Sequence, residues 1–272
     1  MIIGIFCAIF LFRILSAKKK ITDYGYSVIS KIILIAIIFG LAGSRLFQML
    51  YNFIKTGKAG DGITFMGGLM SGVATFFVIF LIVYKRVNKN KKEVLLSDLK
   101  KSVNIAAPCI AIGHALGRVG CFFAGCCYGK PTDMWFGVDF VQSINTKTGE
   151  WNYFGYKRIP TQLFEAIFLV VVFVLCMIAL KRDKGNLSLK IYMYGYSIFR
   201  FILEFFRGDE ERAVVGILSP SQWQSIILFV LALAVTIIPL LVKSKEEQCR
   251  EKENLQQNSA QSYEEVMQSL DD

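Results

Sequence analysis

The stretch TQLFEAIFLVVVFVLCMIAL, residues 161–180, decides the fold class. After Glu165 it runs to Leu180 without a charged residue. As a helix rising about 1.5 Å per residue it covers about 30 Å, the hydrocarbon thickness of a bilayer. Working outward, six other stretches have the same character: Ile2–Ala17, Ile32–Phe53, Ile63–Tyr84, Val103–Gly125, Leu187–Phe206 and Gln222–Val242. They predict an all-α integral membrane protein with seven transmembrane helices in residues 1–242. A polar segment, 243–272, follows and is read as disordered or as a frayed helix. The whole chain is 54% apolar with a mean hydropathy of +0.48, which excludes a soluble domain, a disordered chain, a collagen-like fibre and a secreted disulfide scaffold. The first stretch has no basic segment before it and no small-residue cleavage site, so it reads as a retained anchor.

Charge supplies the orientation. The chain carries 31 Lys+Arg against 21 Asp+Glu and a single histidine, a formal charge of +10. Residues 243–272 hold 4 basic and 8 acidic groups, leaving 27 and 13 in residues 1–242, a body of +14. Spread between bilayer-length apolar stretches, that charge is a topology signal and not a nucleic-acid footprint. With the N-terminus outside, inner loops and span ends hold 15 basic residues and outer loops hold 8. The bias predicts an outer N-terminus and a cytoplasmic C-terminus. The outer loop from Lys130 to Pro160 carries Trp135, Phe136, Phe140, Trp151, Tyr153, Phe154 and Tyr156, either an interfacial anchor or a lid.

Four arginines, Arg13, Arg45, Arg118 and Arg200, fall inside predicted spans. Charges at that depth cost a few kcal/mol each and mark interior cavities. His114, Arg118 and Cys121 share one face of the fourth span, at steps of four and three residues. Tyr196, Arg200, Glu204 and Arg207 follow similar steps in the sixth, and the fifth opens with Gln162 and Glu165. Arg200 and Glu204 have the spacing of an ion pair, which explains that pair but not three arginines in the outward halves of their helices. Guanidinium groups gathered there need anions, and a lipid phosphate fits their forked geometry. The residues therefore predict an outward-facing polar cavity for an anionic headgroup.

The fourth span ends in Gly117-Arg118-Val119-Gly120-Cys121-Phe122-Phe123-Ala124-Gly125-Cys126-Cys127-Tyr128-Gly129-Lys130-Pro131-Thr132. That run resembles the signature of the phosphatidylglycerol–prolipoprotein diacylglyceryl transferases. Gly43 to Leu46, Phe65 to Leu69, Arg158 to Glu165 and Tyr196 to Asp209 resemble four more family segments in the same order. Ser219 to Ser225 resembles the entry to the family's last helix, so the likeness spans about Ile32 to Val242. It implies seven helices in a bacterial cell membrane with the active site toward the outer half. It also implies transfer of a diacylglyceryl group from phosphatidylglycerol to the lipobox cysteine of a preprolipoprotein, with glycerol-1-phosphate leaving. The partners implied are those two substrates and membrane lipid, with no metal or soluble cofactor. Arg118 and Arg200 match essential family arginines suited to the departing phosphate. Tyr196 matches a tyrosine that orients a headgroup or passes a proton, and Gly129 a glycine that lets the backbone approach lipid. Arg45, Gln162, Glu165, Glu204 and Arg207 are expected to position substrate.

The sequence departs from the family at five positions. Cys121 and Ala124 stand where the family has Asn, and Cys126 where it has Glu. Met66 and Ile159 stand where it has histidines. His114 is a candidate replacement base, or a helix histidine bonded to a neighbouring carbonyl or carboxylate. Cys121, Cys126 and Cys127 cluster at the outer end of the fourth span, either as a thiol site or as packing or a disulfide. Their spacing matches no standard zinc pattern. Two alternatives to lipoprotein transfer stay open: a paralogue acting on another acceptor, and a non-enzymatic lipid-binding or transport protein.

Overall fold

A computed structural model of the protein describes residues 2–57, 65–144, 151–182, 186–208 and 218–241. These contain seven α-helices: α1 Ile2–Lys18, α2 Asp23–Thr56, α3 Phe65–Arg86, α4 Lys89–Phe123, α5 Thr161–Arg182, α6 Leu187–Leu203 and α7 Pro220–Leu241. Two short strands, β1 Val141–Ile144 and β2 Trp151–Tyr153, pair antiparallel between α4 and α5. The polar segment 243–272, with Cys249, and the side chain of Met66 lie outside the described residues.

Five helices, α2, α3, α4, α5 and α7, contain stretches long and apolar enough to cross a membrane, with mean hydropathies from 1.4 to 3.0. Their large apolar side chains are widely exposed, as at Leu34, Phe39, Phe77, Ile167, Val171, Val230 and Leu241. Such surfaces need lipid, so the fold is an all-α membrane protein. α1 and α6 have 17 residues each.

Two predicted boundaries move. α2 begins at Asp23 and not Ile32, and α4 at Lys89 and not Val103. Apolar runs mark only the bilayer part of a helix, while both helices continue into polar sequence. Thr22 caps α2: its Oγ1 accepts from Gly25 N at 3.0 Å and donates to Asp98 Oδ2 at 2.5 Å. Asp98, on the polar extension of α4, also accepts from Thr22 N at 3.2 Å and is buried. The cap of one helix and the extension of the other thus satisfy each other's polar groups.

The chain forms two compact units, Met1–Leu116 with Cys176–Leu189, and Gly117–Leu175 with Lys190–Asp272. The first has a core of Phe12, Leu15, Ile29, Ile32, Phe80, Leu95, Ile105, Cys109 and Leu180. In it α2 and α3 meet along small residues. A Cβ built on Gly40 would lie 3.2 Å from the Gly68 carbonyl, and one on Gly72 3.3 Å from that of Ala36. This is the close backbone approach that small residues allow between membrane helices.

In the second unit α5 and α6 are joined by Phe168 and Phe199, stacked with ring centroids 3.9 Å apart. The segment between α4 and α5 is more ordered than a simple loop. Beyond the β1–β2 hairpin, Gly129 pairs with Arg207, and Pro131 and Val138 both pair with Arg158. The Arg158 side chain is buried, lies over the rings of Tyr128, Phe154 and Tyr156, and donates to Tyr156 Oη at 2.6 Å. Aromatic faces and a phenol oxygen thus surround a cation that the sequence pattern assigned only to loop charge.

Candidate functional site

The second unit gathers most of the predicted site residues. Glu165, in the first turns of α5, is 1% exposed. Its Oε1 meets Arg118 Nε of α4 at 3.0 Å and accepts from Tyr196 Oη of α6 at 2.8 Å. One carboxylate oxygen therefore ties three helices together. The stacking of Phe168 on Phe199, each three residues beyond a member of this set, holds α5 and α6 in register for it.

A second cluster surrounds Arg200. Its Nη2 donates to Ser221 Oγ at 2.9 Å and meets Glu204 Oε2 at 3.1 Å, the ion pair expected from the spacing. Its Nη1 is buried and has no hydrogen-bond partner among the described residues. Ser221 lies in the first turn of α7, which a capping box initiates. Ser219 N donates to Gln222 Oε1 at 2.9 Å, and Gln222 N to Ser219 Oγ at 3.2 Å. Arg200 therefore reaches the positive end of α7, where an anion is favoured. The sequence reading quoted Ser219 to Ser225 but did not single out Ser221; its place inside the Ser-x-x-Gln box, one residue before the Gln, was the available signal.

Arg207 is not on the helical face its spacing implied. α6 ends at Leu203, and a 3₁₀ turn, Glu204–Phe206, leads to Arg207 in extended conformation. It pairs there with Gly129, whose missing side chain makes room for backbone. A Cβ at Gly129 would lie 2.7 Å from the Phe206 carbonyl and 2.8 Å from Ile159 Cβ.

The end of α4 explains the cysteines. Gly125 takes φ +64°, Gly125 N donates to Phe122 O at 3.1 Å, and Cys126 N to Cys121 O at 3.2 Å. This is a Schellman termination, which folds the residue after the left-handed glycine back onto the last helical turn. Cys126 thereby meets Cys121, and Cys127, itself at φ +67°, completes the group. The three sulfurs lie within 4.8 Å of one another. The first two residues of α5 pin this turn: Gln162 Nε2 donates to Cys126 O at 2.6 Å and Thr161 Oγ1 to Cys127 O at 2.8 Å. The Cys127 thiol is held well below the usual thiol range, chiefly by a hydrogen bond from Cys121 and then by the guanidinium groups of Arg207 and Arg118, against the opposing effect of burial. Cys126 is shifted upward by desolvation and by the neighbouring Cys127 charge.

A family model described as prolipoprotein diacylglyceryl transferase matches residues 1–238. The chain belongs to the prolipoprotein diacylglyceryl transferase family. It is 30% identical over 241 residues to the phosphatidylglycerol–prolipoprotein diacylglyceryl transferase of Clostridium tetani, covering 86% of this chain and 88% of that protein. Transferase 2 of Clostridium perfringens is also 30% identical, over 84% of each chain. The Dehalococcoides mccartyi transferase of strain 195 is 30% identical over 80% of this chain and 78% of its own.

Within this transferase-family chain, Arg118, Glu165 and Tyr196 form one group, Arg200 and Glu204 a second with Ser221, and Gln162 holds the cysteine turn. Arg45, exposed on α2, and His114, half-buried on α4, belong to the first unit. Ile159, where the resemblance expected a histidine, accepts at its carbonyl from Gly129 N at 2.8 Å and donates from its N to Lys130 O at 3.0 Å. Arg158, Thr161 and Ser221 are the residues that reading by helical spacing missed.

Proposed function

We propose that this protein, a transferase of the diacylglyceryl family, moves a diacylglyceryl group from phosphatidylglycerol to the lipobox cysteine of preprolipoproteins. The acceptor sulfur attacks the glyceryl carbon next to the phosphate and an S–C bond forms. The C–O bond breaks, and its electron pair leaves with glycerol-1-phosphate. The thiol proton is released, with His114 the candidate acceptor. The observation that carries the reading is Arg200, whose buried Nη1 is a donor awaiting an acceptor. A phosphate oxygen satisfies it, and Arg118 adds a second guanidinium, so charge growing on the leaving phosphate meets fixed donors in a water-poor setting. Tyr196, through Glu165, holds Arg118 in place. Gln162, Glu165, Gly129, Glu204 and Arg207 position substrate in this scheme.

Seven membrane crossings with an outer N-terminus put this site in the outer half of the bilayer, where signal peptides emerge. The sided distribution of basic residues supports that topology. Trp135, 90% exposed in the segment between α4 and α5, suits a headgroup-level anchor there.

The test is complementation. The resident transferase of a bacterial host is depleted, this chain is expressed, and a lipobox reporter is weighed by mass spectrometry. The reporter gains one diacylglyceryl group, and Arg200→Ala or Arg118→Ala removes the gain. A well-expressed chain that adds no lipid overturns the reading. Lipid appearing on a different acceptor favours the paralogue alternative, for which the cysteines at family Asn and Glu positions are the motive.

A further inference from the structure

We propose that Cys121, Cys126 and Cys127 form a tris-thiolate site for zinc whose fourth coordination position receives the acceptor thiol. The inference rests on the transferase reading and adds a metal to it. The geometry comes first. Tetrahedral zinc with bonds of about 2.3 Å needs sulfurs about 3.8 Å apart. The three sulfurs already lie within 4.8 Å, so closure takes shifts of about 1 Å at most. The turn that brings them together is built and not incidental. The Schellman bonds seat Cys126 on Cys121, and Thr161 and Gln162 hold the carbonyls of Cys127 and Cys126. Cys127 keeps a positive φ that costs a non-glycine residue about 1 kcal/mol or more, an arrangement that persists only where its surroundings impose it.

The donor set indicates a reactive metal. Among the described residues no histidine or carboxylate joins the three sulfurs. Structural zinc sites close with four protein ligands, whereas three leave a position for water or substrate. Cys126 is exposed, which gives an ion and an incoming thiol a way in. Zinc with three thiolates carries one negative charge. Arg207, hydrogen-bonded to Cys127, and Arg118 beside it supply the compensating positive charge.

The chemistry completes a step for which the chain has few other means. It holds one histidine, and the buried site carboxylates, Glu165 and Glu204, are engaged with Arg118 and Arg200. An acceptor thiol entering the fourth position loses its proton on binding zinc. The bound sulfur then attacks the glyceryl carbon, the S–C bond forms, and the C–O bond to phosphate breaks. The phosphate leaves with the electron pair, the thioether lets go of the metal, and the thiol proton passes to solvent. Zinc is not oxidised or reduced, and no further reactant is needed.

The experiment uses the full-length chain, purified in detergent under reducing conditions without a histidine tag. It is loaded with cobalt(II), whose absorption reports thiolate ligands, and zinc is counted by elemental mass spectrometry. One cobalt per chain is expected, with thiolate-to-metal charge-transfer bands that zinc abolishes. A lipobox peptide should shift the visible bands toward four-sulfur coordination. Cys126→Ser, at an exposed side chain, should weaken zinc binding at least about tenfold while the protein stays monodisperse. Arg200→Ala removes no sulfur and should keep the bands. Absence of the bands in reduced wild-type protein overturns the site, as do bands unchanged in Cys126→Ser. Full lipid transfer by protein verified as metal-free overturns the zinc role and leaves the transferase reading intact. Zinc bound at these cysteines without lipid transfer refutes the transferase reading and supports the metal site.

Discussion

Glu165→Gln tests the idea that one carboxylate oxygen holds the site together. Glu165 is 1% exposed, and both Arg118 at 3.0 Å and Tyr196 at 2.8 Å converge on its Oε1. Glutamine has nearly the same volume and still accepts from Tyr196, so the substitution isolates the charge. Removing one partner of a buried ion pair costs about 3–5 kcal/mol. The Arg118 side chain keeps 17% exposure, so water recovers part of that loss. The expected destabilisation is then about 2–3 kcal/mol, or close to 100-fold in the folded-to-unfolded ratio. Tyr196→Phe removes a hydrogen bond to a charged group and should cost about 1.5 kcal/mol. Since both act through one oxygen, the double variant should lose less than the sum, with a coupling of about 1 kcal/mol. Reversible unfolding in mixed micelles of rising SDS content measures all four proteins. Glu165→Gln within about 0.5 kcal/mol of wild type, or strict additivity in the double variant, would refute the reasoning.

Other substitutions probe the supports of the site. Arg158→Ala empties the space among Tyr128, Phe154 and Tyr156, so hydrogen exchange across residues 129–144 should speed up at least about tenfold while α5 stays protected. Gly129→Ala puts a Cβ 2.7 Å from the Phe206 carbonyl, so the pairing with Arg207 must open and lipid transfer should fall at least about tenfold. Asp98→Ala strips the Thr22 cap of its buried acceptor and should destabilise the first unit by about 1–3 kcal/mol, with lipid-transfer kinetics at low temperature nearly unchanged.

Helical arithmetic made part of this site legible. Residues 161–180 read correctly as a membrane helix, and the four-residue step from Arg200 to Glu204 became an ion pair at 3.1 Å. The limits of that arithmetic are equally specific. It works within one helix, so it did not link Glu165 to Arg118 or Arg200 to Ser221, which are contacts between helices. It failed at Arg207 because the helix ends four residues earlier and the chain turns to extended backbone. The cysteines were read as a thiol site or as packing, and not as metal ligands, because their spacing matches no linear zinc motif. The informative residue was Gly125: a left-handed glycine ending a helix folds the residue after it onto the last helical turn, making near neighbours of Cys121 and Cys126.

The charges of the site support the same two ligands from another direction. In the second unit the guanidinium groups of Arg118, Arg158, Arg200 and Arg207 are buried or nearly so, against the two buried carboxylates Glu165 and Glu204. With the Cys127 thiolate counted beside the two carboxylates, the described residues still leave a positive excess, on groups that never lose a proton in a protein. Unpaired charge in a low-dielectric interior costs several kcal/mol per group. The proposed occupants are two anions of single charge: a phosphodiester at Arg200 and Arg118, and a zinc tris-thiolate beside Arg207. Asn or Gln at Cys126, lacking a thiolate, should therefore weaken phospholipid binding less than loss of Arg200 does, because each anion balances its own share of the excess.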